Sequence, residues 1–201
     1  MIRFSRRTLL FSAAALPLAR ETLASTPRLG EVLETTGPGT LIRDGQSLAL
    51  EPGLALHEGD TAATSETGLA LLLLDERTRI TLGVNSRIEL AAFLSEIGGT
   101  IRVGGAMVFD RPDDLPPLDA RFVTAFGEIG VRGTRFFVGP SRGDYAVFVQ
   151  RGQVSVSNAG VTRLLAAGEG CALRAGPPSE VTHWGEARII EAFASLGLPR
   201  D

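Results

Sequence analysis

The sequence predicts an all-β fold: a two-layer β-sandwich or roll of many short strands, with a short C-terminal amphipathic helix. Three observations predict it. Short runs alternate polar and apolar residues with a period of two. Turn residues interrupt them about every eight to twelve positions, the rhythm of sandwiches and rolls. The core must be aliphatic, because 44% of the 201 residues are hydrophobic but only 6% are aromatic.

The first 24 residues read as an address. Arg3, Arg6 and Arg7 precede an apolar run from Leu9 to Leu18, and small residues follow. This is the order of a cleaved signal peptide, and the run falls short of the about 20 apolar residues a membrane span needs. The pair Arg6-Arg7 before Thr8-Leu9-Leu10 resembles the twin-arginine export motif. Cleavage is expected after Ala24, with Ala19 as the other candidate. The address predicts a periplasmic protein with no integral membrane segment in the mature chain.

Strands are expected next. Gly68 to Leu74 is a continuous apolar run whose length suits a strand inside a sandwich. Arg79 to Leu82, Ser86 to Leu90, Thr100 to Val103 and Val154 to Ser157 alternate. Tyr145 to Val149 is β-branched and aromatic, as in a strand buried on both sides. Asp44-Gly45, Gly59-Asp60, Arg142-Gly143, Arg151-Gly152, Ala159-Gly160 and Gly168-Glu169 read as turns. No strict repeat period is present, which argues against a regular solenoid.

Two stretches break the pattern. Asp110 to Asp119 is acidic and holds Pro112, Pro116 and Pro117, so it predicts an exposed loop joining two halves of the domain. Glu186 to Leu196 places Ile189, Ile190, Phe193 and Leu196 at helical spacing, predicting a helix packed on the sandwich or a partner-binding tail. Residues 1–24 are thus the signal, 25–180 the β domain and 181–201 a helical tail.

Charge and composition exclude several classes. Without the first 24 residues the chain keeps 16 basic and 22 acidic side chains, a net of −6. A scaffold of that sign is a poor partner for nucleic acid or anionic lipid. All 20 basic residues are arginine, and they are scattered. The single cysteine, Cys171, permits no internal disulfide and reads as a small buried hydrophobe. His57 and His183 stand apart, and no nucleophile elbow, zinc motif or phosphate loop is present. No enzyme and no cofactor are expected. An envelope polymer or carbohydrate module remains as the alternative. It needs an aromatic platform, for which Trp184 is the candidate, and Trp184 serves equally to anchor the C-terminal helix.

One pattern is more specific. Glu58-Gly59-Asp60 leads to Thr64, then to the run ending at Asp75 and the strands at 79–82 and 86–90. Further on, Val131-Arg132-Gly133-Thr134-Arg135-Phe136 precedes Val147 to Val156 with Gly152, and Ala167-Gly168-Glu169 follows. These segments resemble the FecR domain over residues 53–170, with Ala125 where that family usually has proline. The motif positions are Gly59, Asp60, Asp75, Arg132, Gly133, Thr134, Phe136, Gly152, Gly168 and Glu169. Read from the residues alone they are architectural. Gly133 supplies a bulge or a positive-φ kink, Thr134 can bond the backbone exposed there, and Arg132 lies across a neighbouring strand with its head solvated or paired. Gly59-Asp60 and Gly168-Glu169 look like turns closed by an acid.

The resemblance implies a periplasmic, non-enzymatic sensory or interaction module. FecR-like proteins relay iron-uptake signals from an outer-membrane transporter to a sigma factor, through an anti-sigma segment and one membrane span. Here a twin-arginine signal stands in their place, so that circuit is not expected to carry over. An envelope protein is the expected partner. Its identity and the oligomeric state are not written in the sequence.

Overall fold

A computed structural model describes residues 27–94, 98–116, 118–131 and 134–199. The export signal lies outside these described residues, as do Arg132 and Gly133 of the motif.

The described chain forms two nine-stranded sheets and one helix. From edge to edge, the first sheet holds β18 (Thr182–His183), β17 (Glu169–Leu173), β14 (Asp144–Arg151), β13 (Arg135–Ser141), β10 (Met107–Asp110), β7 (Thr78–Leu82), β6 (Leu69–Leu74), β1 (Arg28–Thr36) and β4 (Ala55–His57). The second holds β16 (Val161–Ala166), β15 (Gln153–Asn158), β12 (Gly127–Val131), β11 (Asp119–Thr124), β9 (Gly98–Gly104), β8 (Arg87–Leu94), β5 (Thr61–Thr64), β2 (Gly39–Arg43) and β3 (Gln46–Ala49). The all-β sandwich expected from the sequence is the architecture found.

The chain zigzags between the layers. From β6 onward it lays down a hairpin or single strand in one sheet, crosses, and lays down the next in the other. β10 leaves the second sheet for the first, so β9 and β11 meet as a parallel pair, while the other pairings are antiparallel. Two-residue turns close several hairpins. Asp44-Gly45, Arg142-Gly143 and Ala159-Gly160 all have positive φ at both residues, as the favoured hairpin turns require.

Alternation puts one face of each strand into the core. In β6 the inner residues Ala70, Leu72 and Leu74 are buried, and Leu69, Leu71 and Leu73 are half-buried on the outer face. Phe109 and Phe136 from the first sheet meet Phe122 from the second, edge-to-face at 5.0 and 5.1 Å. Each buried phenylalanine contributes about 1.5–3 kcal/mol by burial.

The outer face of β13 and β14 is also apolar, through Phe137, Ala146 and Phe148. Helix α1 (Glu186–Ala194) covers it with Ala192 and Phe193, and Leu196 follows. This explains the unbroken apolar run in β14, which is buried on both faces from Ala146 to Val149. Trp184 anchors the helix. It is 7% exposed, its ring stacks on Phe148 at 4.9 Å, and the Arg188 guanidinium lies 3.8 Å from its centroid. Gly170 makes room for it, because a Cβ there would stand 2.4 Å from Trp184 Nε1.

Candidate functional site

The motif residues fall at separate joints of the sandwich. Gly59 turns the chain at φ 84° after β4 and delivers Asp60, whose side chain is 1% exposed. Its carboxylate accepts from Arg43 Nε at 2.8 Å, from the other arm of that guanidinium at 2.6 Å, and from the His57 amide at 2.8 Å. Arg43 also donates to the Ala55 carbonyl, so one ion pair ties β2, β4 and β5 together. Asp60 holds the Arg43 pKa above its ordinary value. Four residues on, the Thr64 hydroxyl donates to the Gly83 carbonyl at 2.6 Å and accepts from the Ser86 amide.

At another edge Gly168, at φ 85°, precedes Glu169, which caps the turn by accepting from the Ala166 amide at 2.8 Å. Gly152, at φ 82°, passes the chain from β14 to β15. These are the acid-closed turns expected from residue types alone.

Asp75 and Thr134 are the two motif residues brought to one centre, and the residue joining them is Arg111. Asp75 and Glu76 both have positive φ in the β6–β7 turn, where Asp75 Oδ1 accepts from the Thr78 amide at 2.9 Å. Its second oxygen binds the Arg111 guanidinium. Arg111 is 4% exposed; it also donates to Thr78 Oγ1 at 2.7 Å and to the Pro116 carbonyl at 3.0 and 3.2 Å, and its amide donates to the Thr134 carbonyl. A buried guanidinium with its donors so engaged is held in one geometry.

Arg111 opens the acidic, proline-rich loop, and further arginines pin that loop down. Arg151 binds Asp110 at 3.0 Å, Asp113 at 2.8 Å and the Arg111 carbonyl at 2.7 Å. Burial disfavours the Arg151 charge, but Asp113 and Asp110 outweigh it and its pKa stands above the usual one. Arg77 binds Asp114 at 2.8 Å and pulls that carboxyl below its ordinary value. The loop read as an exposed joiner is therefore strapped to the sandwich, and its own Leu118 is buried. An open cleft of about 610 Å³ lies between β1 and the β6–β7 turn, lined by Arg28, Glu31, Asp75 and Glu76.

Arg111 is the residue that sequence reasoning missed. Its signal is a single basic residue, flanked by Asp110 and Pro112, opening an acidic run. Thr134 also departs from expectation. It is fully buried, and its hydroxyl finds no hydrogen-bond partner among the described residues, so it bonds none of their backbone groups as its residue type suggests. Phe136 serves the aromatic core. Cys171 is buried, and burial pushes its thiol up to about 11, away from reactivity. Among the described residues no group of three or more His, Cys, Asp or Glu could hold a metal ion. Nor is any described helix long and apolar enough to cross a membrane.

Residues 60–155 match the family model described as FecR protein. That span starts at Asp60 and contains the Arg111 centre and the 131–136 segment. Two crystal structures of a proposed anti-sigma factor from Parabacteroides distasonis ATCC 8503, at 1.65 and 2.50 Å resolution, share the fold with a TM-score of 0.51 and 18% identity. The likeness covers 65% of this chain and 62% of that one, less than two thirds of its length. No curated protein matches the chain. The sandwich thus shares the fold of that protein, and residues 60–155 within it match the FecR model.

Proposed function

We propose that this protein is a non-enzymatic FecR-like interaction or sensory module of the bacterial envelope, exported on a twin-arginine signal. The match of residues 60–155 to the FecR family carries the reading. The carboxylates of Asp60, Asp75 and Glu169 are all bonded internally, which fits a scaffold that presents a surface elsewhere. The carbohydrate alternative loses its platform, because Trp184 is buried under α1. Regulation through a sigma factor is consistent with the fold shared with the Parabacteroides protein.

The test is affinity capture with the full chain as bait in an envelope extract, read by mass spectrometry. One membrane or periplasmic protein should be enriched. Loss of that capture in an Arg132→Ala variant that melts like the wild type would put the motif at the contact; its persistence would make the motif architectural. No specific protein would sink the reading. Export is tested by fractionation: Arg6→Lys with Arg7→Lys should hold the chain in the cytoplasm, and unchanged export would exclude the twin-arginine route.

A further inference from the structure

A sheet edge is a row of backbone donors and acceptors with no neighbour, and proteins usually guard it with lysine, proline, bulges or a covering segment. This chain contains no lysine. Its four edges are guarded unequally. β18 is two residues long, and Ser179 fills the adjoining edge of β17 through both its amide and its hydroxyl, against Ala172. β4 is three residues long. β16 leans on β14 and β17 of the other sheet, its Ala166 amide is taken by Glu169, and an Arg163–Glu180 ion pair braces it.

Among the described residues β3 has no such cover. All four of its residues are exposed, none is proline, and its pairing with β2 runs without a bulge. The ladder pairs Arg43 with Gln46 and Leu41 with Leu48, and the Leu50 amide donates to the Gly39 carbonyl at 3.0 Å. Hydrogen-bonded pairs recur at every second residue of an antiparallel ladder. Gln46, Leu48 and Leu50 therefore turn their backbone groups toward β2, and Ser47 and Ala49 turn theirs outward. Each face beside this edge carries one exposed aliphatic side chain. Leu48 lies on the core side yet is 37% exposed, and Ile42 on the outer side is 44% exposed.

Charge brackets the same edge. Asp44 sits at the hairpin tip before β3, and Glu51 follows its end; both are exposed. Neither forms an ion pair among the described residues, and Arg43, the cation that Asp44 feels, is already gripped by Asp60.

We infer that the free edge of β3 is a strand-addition site for an extended partner segment, alternately apolar, with a basic side chain at each end. The inference rests on the interaction-module reading and names its surface. Backbone bonds to Ser47 and Ala49 supply the register, Leu48 and Ile42 supply apolar contact on the two faces, and Asp44 and Glu51 select the charged ends.

The full chain is titrated with the fluorescein-labelled peptide Lys-Val-Thr-Val-Thr-Val-Lys, and anisotropy is read. Saturable binding is expected, about tenfold weaker for Ser47→Pro, a loss of the size that one or two ladder bonds bring. Ser47→Pro removes only an outward amide, so an unchanged melting temperature is expected alongside. Asp44→Asn with Glu51→Gln, and a peptide ending in Glu, leave the backbone intact and should also bind more weakly. Absent binding, or equal binding across these variants and peptides, overturns the β3 assignment. Envelope capture that survives Ser47→Pro also overturns it, while leaving the interaction reading in place. No capture by the wild-type chain removes that reading itself.

Discussion

A guanidinium that is almost out of contact with water is tolerable only when its donors are engaged, and those of Arg111 go to Asp75, Thr78 and the Pro116 carbonyl. Arg111→Ala leaves the Asp75 carboxylate facing a gap, and should cost about 3–5 kcal/mol in urea denaturation. Arg111→Met with Asp75→Asn removes both charges, keeps bulk, and retains a residue tolerant of positive φ at 75. That pair should recover most of the loss; if it does not, charge pairing is not what holds the joint. Thr134→Val runs the other way. It exchanges a buried hydroxyl with no partner for a methyl of similar size, and stability should stay level or rise by about 1 kcal/mol. Sequence reasoning found Asp60 and Glu169 because an acid beside a turn glycine leaves a local signature, and Asp75 through the resemblance to the FecR pattern. Arg111 leaves none, since Asp75 lies 36 positions away and the loop around it has the composition of solvated chain.

Strands and helix were largely legible because their periodicity is local. Gly68 to Leu74, Arg79 to Leu82 and Val154 to Ser157 become β6, β7 and β15, and the helical spacing over 186–196 becomes α1. The burial of Tyr145 to Val149 on both sides was visible in its composition, although what covers it was not. β1 to β3 have weaker alternation; β1 and β2 are held by the distant strands β6 and β5, and β3 by its hairpin with β2. α1 has no side-chain cap, so packing must hold it. Phe193→Ala should therefore cost about 3–5 kcal/mol in thermal or denaturant melts. Glu191→Gln, which breaks only the exposed pair with Arg142, should leave the melting temperature almost unchanged. The loop strap has its own signature. Arg77 depresses the Asp114 pKa, so that pair contributes above the ordinary aspartate range and is lost as the pH falls through the lowered folded value. A carboxyl ¹³C titration should place Asp114 lower in the wild type than in Arg77→Gln, and coincident curves would refute the strap.

The zigzag path gives the whole molecule a direction. In both sheets strand order follows chain order closely, so the early strands gather at one end of the stack and the late strands at the other. The phenylalanine cluster of β10, β11 and β13 sits midway, and amide exchange should be slowest there. A pull applied between β1 and β18 acts along the stack, perpendicular to the strands. Hydrogen-bonded ladders loaded that way unzip rung by rung, whereas ladders loaded along their strands must break together. Single-molecule extension between Arg28 and His183 should therefore show several small rips at low force, hairpin by hairpin. One cooperative event at high force would mean that the two faces act as a single mechanical body. A protein anchored at one end and tugged at the other would in this way release its length gradually, as a tether of adjustable reach.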